Sequence, residues 1–377
     1  MYEKIINGDL SGDVRIVDLR SDTISKPTPE MREAMFHAIV GDDVYGEDPT
    51  VTDLEQKAAK LLGKEDAVFV VSGTMANLIA IMVHCNQRGS EMISGDNGHT
   101  FRFEQGGPAQ IAGVQTAILK NNEDGTFSLD ELRNKIRKNP DFHEPVTSLI
   151  IVENTHNMCG GKVLPLDWLE KVGNIAAEHN IPVHMDGARI MNAAVYLKVT
   201  PKRVARDVDS VCFCLSKGLG APVGAILAGT KSFIIKARRV RKALGGGWRQ
   251  AGILAAAGLV ALDKMIDRLA EDHAHTLKIA KAIVDVNSKI FKVDLKAVET
   301  NIFIMYLDTT KLVARDFQHR LAEVRQTDPI RVSVKASSRD AECVRFVTYW
   351  EITDKEVDLA IQKIVFVIKE FEDTFKE

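Results

Sequence analysis

The chain has 377 residues, 45% of them hydrophobic, with 49 basic against 52 acidic side chains and a net charge of −3. That length predicts about two or three domains, or one large domain with a smaller one attached, and the even charge balance gives no argument for a nucleic-acid or anionic-membrane partner. Five cysteines, an odd number, and no apolar stretch behind Met1-Tyr2-Glu3-Lys4 predict reduced thiols in a cytoplasmic protein, while the apolar run 252–262 falls short of the ~20 residues that span a bilayer.

Residues 16–24 form a short polar–apolar segment. Pro29 opens a helix to about Val40, where Met31, Met35 and Ile39 recur at helical spacing. Residues 41–49 read as a loop, and a helix from Thr52 or Asp53 ends at Gly63, a C′ glycine. Short apolar runs then alternate with helical patterns. Strands are expected at 67–71, 91–94, 114–119, 148–152, 181–185, 210–214 and 224–228, with helices at 75–88, from Ser128, and at 166–179. The alternation implies an α/β fold, a mostly parallel sheet covered on both faces, with ligands bound outside the carboxyl ends of the strands. After residues 244–249 comes a long helical stretch to about 287. Strands at 301–307, 330–334 and 343–348 and helices near 313–325 and 354–375 then make a smaller α+β tail. The expected domains are 1–264 and 265–377.

Three stretches carry chemistry. Lys217 follows the apolar run 210–214 and enters a Gly/Pro-rich segment, so its amine sits at the end of a core strand. Partial burial there favours a neutral, nucleophilic amine, as Schiff-base chemistry requires; a surface loop lysine is the plain alternative. Asp186 ends another apolar strand, 217 − 186 = 31 residues earlier. An aspartate at one strand end and a lysine at another are what pyridoxal phosphate needs, the carboxylate keeping the pyridine nitrogen protonated. Ser72-Gly73-Thr74 lies between a strand and a helix, which suits an anion or a simple cap. The cluster 236–242 reads as the solvated face of a helix, and Cys212 and Cys214 as core, since no matching pair completes a zinc site.

These stretches resemble the L-threonine aldolase family of fold-type-I pyridoxal-phosphate enzymes, from about Val17 to Arg345. The segments 18–23, 41–49, 72–77, 153–157, 184–189, 215–224 and 244–250 carry the resemblance, in the family's order. It implies a large domain with a mostly parallel sheet and a smaller α+β C-terminal domain. Lys217 matches the Schiff-base lysine, Asp186 the partner of the ring nitrogen, and Gly73 and Thr74, with Ser72, the phosphate cup. His99 matches the histidine stacked on the ring, and Glu104 an acid of the base assembly. Ser21, Arg189 and Arg345 match the groups that hold the substrate carboxylate, a task suited to bidentate guanidinium forks. Tyr45 and His156 match pocket-lining residues. Lys242 and Arg249 match residues that reach the phosphate of a neighbouring subunit, which requires an oligomer, expected to be a homotetramer. Two positions depart from the pattern. Phe103 stands where a tyrosine is common, and Tyr349 near where a histidine often lies, so the preferred β-hydroxy amino acid stays open.

The resemblance implies retro-aldol cleavage of L-threonine or L-allo-threonine to glycine and an aldehyde. The base is either His156 or a water held by His99 and Glu104. No metal is expected. A β-eliminating lyase would use the same lysine and aspartate and is the alternative. A nicotinamide dehydrogenase lacks support because no Gly-x-Gly-x-x-Gly follows the first strand. Retention of Lys217, Asp186 and Arg189 argues against a non-catalytic binding protein.

Overall fold

The computed structural model describes residues 14–375; the Met1–Lys4 stretch lies outside them. Contact clustering divides the chain into two units, one of residues 25–267 and one joining the residues up to Ile24 with those from Arg268 onward.

The first strand, β1 (Arg15–Asp18), belongs to the smaller unit. The larger unit begins with two capped helices. In α1 (Pro29–Phe36) the Thr28 hydroxyl accepts from the Met31 N–H, and in α2 (Pro49–Leu62) the Asp48 carboxylate accepts from Val51. Gly63 ends α2 in the left-handed conformation, as expected of a C′ glycine. Sheet and helix then alternate: β2 (Asp66–Val70), α3 (Gly73–His84), β3 (Ser90–Gly95), α4 (His99–Arg102), β4 (Gln115–Leu119), α5 (Leu129–Lys135), β5 (Val146–Glu153) and α6 (Leu166–Glu178). There follow β6 (Val183–Asp186), α7 (Ile190–Leu197), α8 (Pro201–Val204), β7 (Ser210–Cys214), β8 (Ala225–Gly229), α9 (Lys231–Ala243) and α10 (Gly252–Val260).

The seven strands form one sheet in the order β2-β8-β7-β6-β5-β3-β4. Every pairing is parallel except those of β8, which runs antiparallel to both β2 and β7. The sheet is thus mostly parallel, as expected, and its inner strands β7 and β8 are buried throughout, which is why they read as apolar runs. On one face α3 and α9 close a core with Val68, Val70, Ile79, Ala80, Ala225, Leu227, Phe233 and Ile234.

The long helix expected to run to about 287 is broken. A wider π-type turn at Ala261–Met265 ends α10, and α11 (Leu269–Asp285) restarts beyond Arg268. No glycine or proline marks the break, so propensity could not reveal it. The division between the units falls here, between Asp267 and Arg268.

The smaller unit continues with β9 (Phe291–Lys292), β10 (Ile302–Leu307), α12 (Ala314–Ala322), β11 (Val332–Lys335), β12 (Ser337–Ser338), β13 (Cys343–Val347) and α13 (Asp354–Thr374). Its four-stranded sheet has the order β12-β13-β10-β9. Assigning all of residues 1–264 to the large domain fails at the start of the chain. β1 pairs in parallel with β11, Arg15 opposite Val332, and buries Val17 and Leu19 among Phe303, Phe317, Val334 and Phe346. A four-residue strand gives no sign in sequence of so distant a partner. Among the described residues no helix is long and apolar enough to cross a membrane.

Candidate active site

The carboxyl end of β6 carries Asp186, fully within the large unit and 2% exposed. Its Oδ2 accepts from the Asn77 amide at 2.9 Å and its Oδ1 from the Ala188 N–H at 3.1 Å. Burial alone would raise this carboxyl. The charges of His99 and Lys217 and the Asn77 hydrogen bond outweigh it and hold the carboxyl below its ordinary range.

Lys217 lies in the ten-residue loop 215–224 that joins antiparallel β7 and β8. Its carbonyl accepts from the Ser25 hydroxyl and the Gly220 N–H, both at 2.8 Å, which fixes the backbone beneath a half-buried side chain. The loop returns through Gly224 at φ +107°, where a Cβ would lie 2.3 Å from the Phe69 ring, so both conformation and space demand glycine.

At the start of α3 the Ser72 hydroxyl accepts from the Met75 N–H at 3.1 Å. The first N–H groups of a helix have no carbonyl four residues back, which leaves those of Gly73 and Thr74 for an anion. Gly73 packs so near β7 that a Cβ would stand 2.8 Å from the Cys214 sulfur.

His99 opens α4, with its backbone N–H donating to Glu153 at 2.6 Å and its Nδ1 2.9 Å from Glu104 Oε1. Glu104, 5% exposed, also accepts from Asn77 at 2.8 Å. Burial and the Asp186 charge raise the Glu104 carboxyl, although its bond to His99 opposes them. Burial would lower His99, but its bond to Glu104 and the charge of Asp186 raise it. The pair therefore holds a proton tightly. His99, Glu104 and Asp186 also lie close enough to suggest a metal cluster, yet each already has hydrogen-bond partners.

His156 follows β5 and is 2% exposed, packed against Gly125, with a buried Nδ1 that finds no hydrogen-bond partner. A small enclosed space lies beside it, lined by Gly98, Glu153 and Trp168. Arg189 is buried at the N-terminus of α7, three residues past Asp186.

The remaining expected residues divide between the two units. Arg249 pairs with Asp42 at 2.9 Å, and Lys242, in the last turn of α9, runs past Gly247. Tyr45 is 75% exposed on the neighbouring loop, its N–H donating to Asp42. In the smaller unit Arg345 is 6% exposed, not a surface charge, and donates from Nη2 to the Arg20 carbonyl at 2.8 Å. Strand alternation turns it away from Val344 and Phe346, which enter the core. Ser21 adjoins Arg20 and accepts from the Thr23 hydroxyl at 2.9 Å.

Sequence reasoning gave no role to Asn77, which bridges Asp186 and Glu104, nor to His184, Ser210 and His84 behind it. One signal was available: His184 and Asp186 are two apart in a strand and so share a face.

The family model described as "Beta-eliminating lyase" matches residues 18–310. The chain is 46% identical to low-specificity L-threonine aldolase 1 of Arabidopsis thaliana over 347 residues, 91% of this chain and 94% of that one. It is 45% identical to the low specificity L-threonine aldolase of Escherichia coli K12 over 279 residues, 74% and 82% of the two chains. The solved threonine aldolase of Leishmania major superposes with a TM-score of 0.76 at 18% identity, over 94% of this chain and 98% of that one.

Proposed function

Because the chain belongs to the beta-eliminating lyase family, we infer that it is a pyridoxal 5′-phosphate-dependent aldehyde-lyase that cleaves L-threonine and L-allo-threonine to glycine and acetaldehyde. The observation that carries this is the 46% identity to a low-specificity L-threonine aldolase along nine-tenths of the chain, joined to a buried, ionised Asp186 under the influence of Lys217.

The residues fit the cofactor. A buried carboxylate held below its ordinary range suits a pyridinium N–H, and the N-terminus of α3 suits a phosphate. When bound, pyridoxal phosphate supplies an aldehyde for amine exchange and a ring that accepts the electron pair of the broken Cα–Cβ bond. In this reading Asp186 holds the ring nitrogen, Ser72, Gly73 and Thr74 hold the phosphate, and His99 lies against the ring. Lys217 would be the amine that holds the cofactor through its aldehyde when no substrate is bound. Ser21, Arg189 and Arg345 would hold the substrate carboxylate and so select which bond at Cα is presented for cleavage. His156, or a water held by His99 and Glu104, takes the β-hydroxyl proton. The raised His99–Glu104 pair and the unpartnered His156 Nδ1 support each candidate in turn.

We assign Lys242 and Arg249 to the phosphate of a neighbouring subunit in a cytoplasmic homotetramer; a monomer in light scattering at assay concentration would sink this. The family's own description favours a second reading, β-elimination. Product analysis separates the two. Purified protein with pyridoxal phosphate and either threonine isomer is expected to release equal amounts of glycine and acetaldehyde. Ammonia and a keto acid instead would establish elimination, and a protein that gains no visible absorption from the cofactor would overturn both readings.

A further inference from the structure

Behind Asp186 a line of hydrogen bonds crosses the large unit from α3 to the middle of the sheet. Asn77 and His84 are seven residues apart on α3, two turns along one face. His184 and Ser210 stand opposite each other on β6 and β7, and Asp186 and Cys212 occupy the next paired positions on the same face. His84 Nε2 lies 2.8 Å from Ser210 Oγ, Ser210 Oγ 2.9 Å from His184 Nδ1, and His184 Nε2 3.0 Å from Asn77 Oδ1. Asn77 Nδ2 then reaches Glu104 at 2.8 Å and Asp186 at 2.9 Å.

Donor and acceptor counting gives this line one direction. An amide nitrogen has two hydrogens, and two carboxylates take both; the reversed amide would point its oxygen at them. Asn77 Oδ1 is therefore acceptor only, so His184 Nε2 must carry a hydrogen. The Cys212 thiol, 3.2 Å away and pushed upward by burial, keeps its proton and donates to the same oxygen. Burial holds His184 down to about 3 and His84 down to about 4, so both rings are neutral. His184 Nδ1 is then an acceptor, Ser210 donates to it, and Ser210 in turn accepts from a hydrogen on His84 Nε2. The His84 ring is held flat on Phe233, centroids 4.7 Å apart.

We propose that His84, Ser210, His184 and Asn77 form a one-way chain of hydrogen bonds that keeps the Asn77 N–H groups turned to Asp186 and Glu104, making Asn77 and His184 positioning residues for the ring-nitrogen carboxylate. The consequence for the cofactor rests on the function inferred above; the direction of the chain does not.

Two measurements test it. Neutron diffraction from deuterium-exchanged crystals of the enzyme should place a deuteron on Nε2 of His184 and of His84, and one on Ser210 Oγ aimed at His184. A deuteron on His184 Nδ1 would overturn the proposal whether or not the cofactor binds. Titration with pyridoxal phosphate compares His184→Gln, whose amide can still donate to Asn77, with His184→Leu, which cannot. The Leu variant should bind about tenfold more weakly and show a shifted pH titration of cofactor absorbance, with the Gln variant near wild type. Equal behaviour of the two, both near wild type or both impaired alike, would show that the donor has no such role.

Discussion

In the smaller unit Arg320, Arg325 and Lys363 meet Glu323, Asp328 and Glu370, three cations against three anions. In the larger unit Glu104 and Asp186 share the Asn77 amide and the charge of His99, and Asp186 alone also feels that of Lys217. The first set is closed: Arg320 binds Asp328 and Glu370 at 2.5 Å, and Lys363 donates to Asp328 and to the Glu323 carbonyl. Burial would raise the Asp328 carboxyl, but its bonds from Arg320 and Lys363 bring it down to about 2. The second set is open. Its carboxylates are shifted in opposite directions, and the neutral Asn77 amide bridges them beside His99. Buried charge that is fully matched holds structure together, whereas buried charge left partly unmatched can receive a cationic group.

If that contrast is right, changes in the two clusters should have opposite signatures. The largest effect is expected from Lys217→Ala. Turnover should fall at least about a thousandfold, the scale on which loss of a reacting group is felt. Folding and cofactor absorption should survive, because phosphate and ring contacts remain. Appreciable cleavage by that variant, with contaminating enzyme excluded, would show that another lysine does the chemistry.

Asp328→Asn should do the reverse. Leaving Arg320 and Lys363 buried beside a neutral amide should cost about 3–5 kcal/mol in urea unfolding. The wild-type pair also predicts an acid signature. A carboxyl held at about 2 when folded and near 4 when unfolded stabilises fully above pH 4 and loses that stabilisation as pH falls toward 2. The loss should amount to roughly 2–3 kcal/mol and vanish in the Asn variant. Unchanged stability would place this cluster with the functional one.

Arg345→Leu gives the smallest effect and sharpens the boundary of the comparison, since Arg345 sits in the structural unit with an assigned functional role. KM for the amino acid should rise about ten- to a hundredfold, with kcat also lower and the melting temperature little changed. A collapse in stability at constant KM would make it a brace for the Arg20 carbonyl instead.

The contrast also explains how much of the molecule was legible in advance. Strands β7 and β8 of the larger sheet were readable because burial on both faces leaves near-unbroken apolar runs. The direction of β8 was not, because the Gly/Pro-rich loop 215–224 suits a hairpin as well as a crossover. Lys217, Asp186 and Gly73 stood out because each breaks an apolar or helical pattern at an element's end. Asn77 lies inside α3 and Ser210 opens β7, and their meaning depends on strand register and helix docking, which no local pattern encodes. Arg320 and Lys363 carry no mark in sequence, because their burial follows from tertiary packing around α12 and α13.

The pairing of β1 with β11 also sets a timetable for synthesis. Arg15 faces Val332, 332 − 15 = 317 residues later, so at about 5–20 residues per second the first strand waits roughly 16–60 s for its partner to be made. Residues 25–267 are all available well before then. The ribosome therefore presents every residue of the larger unit while β1 still lacks its partner β11, and Val17, buried in the folded chain, stays without its cover until then.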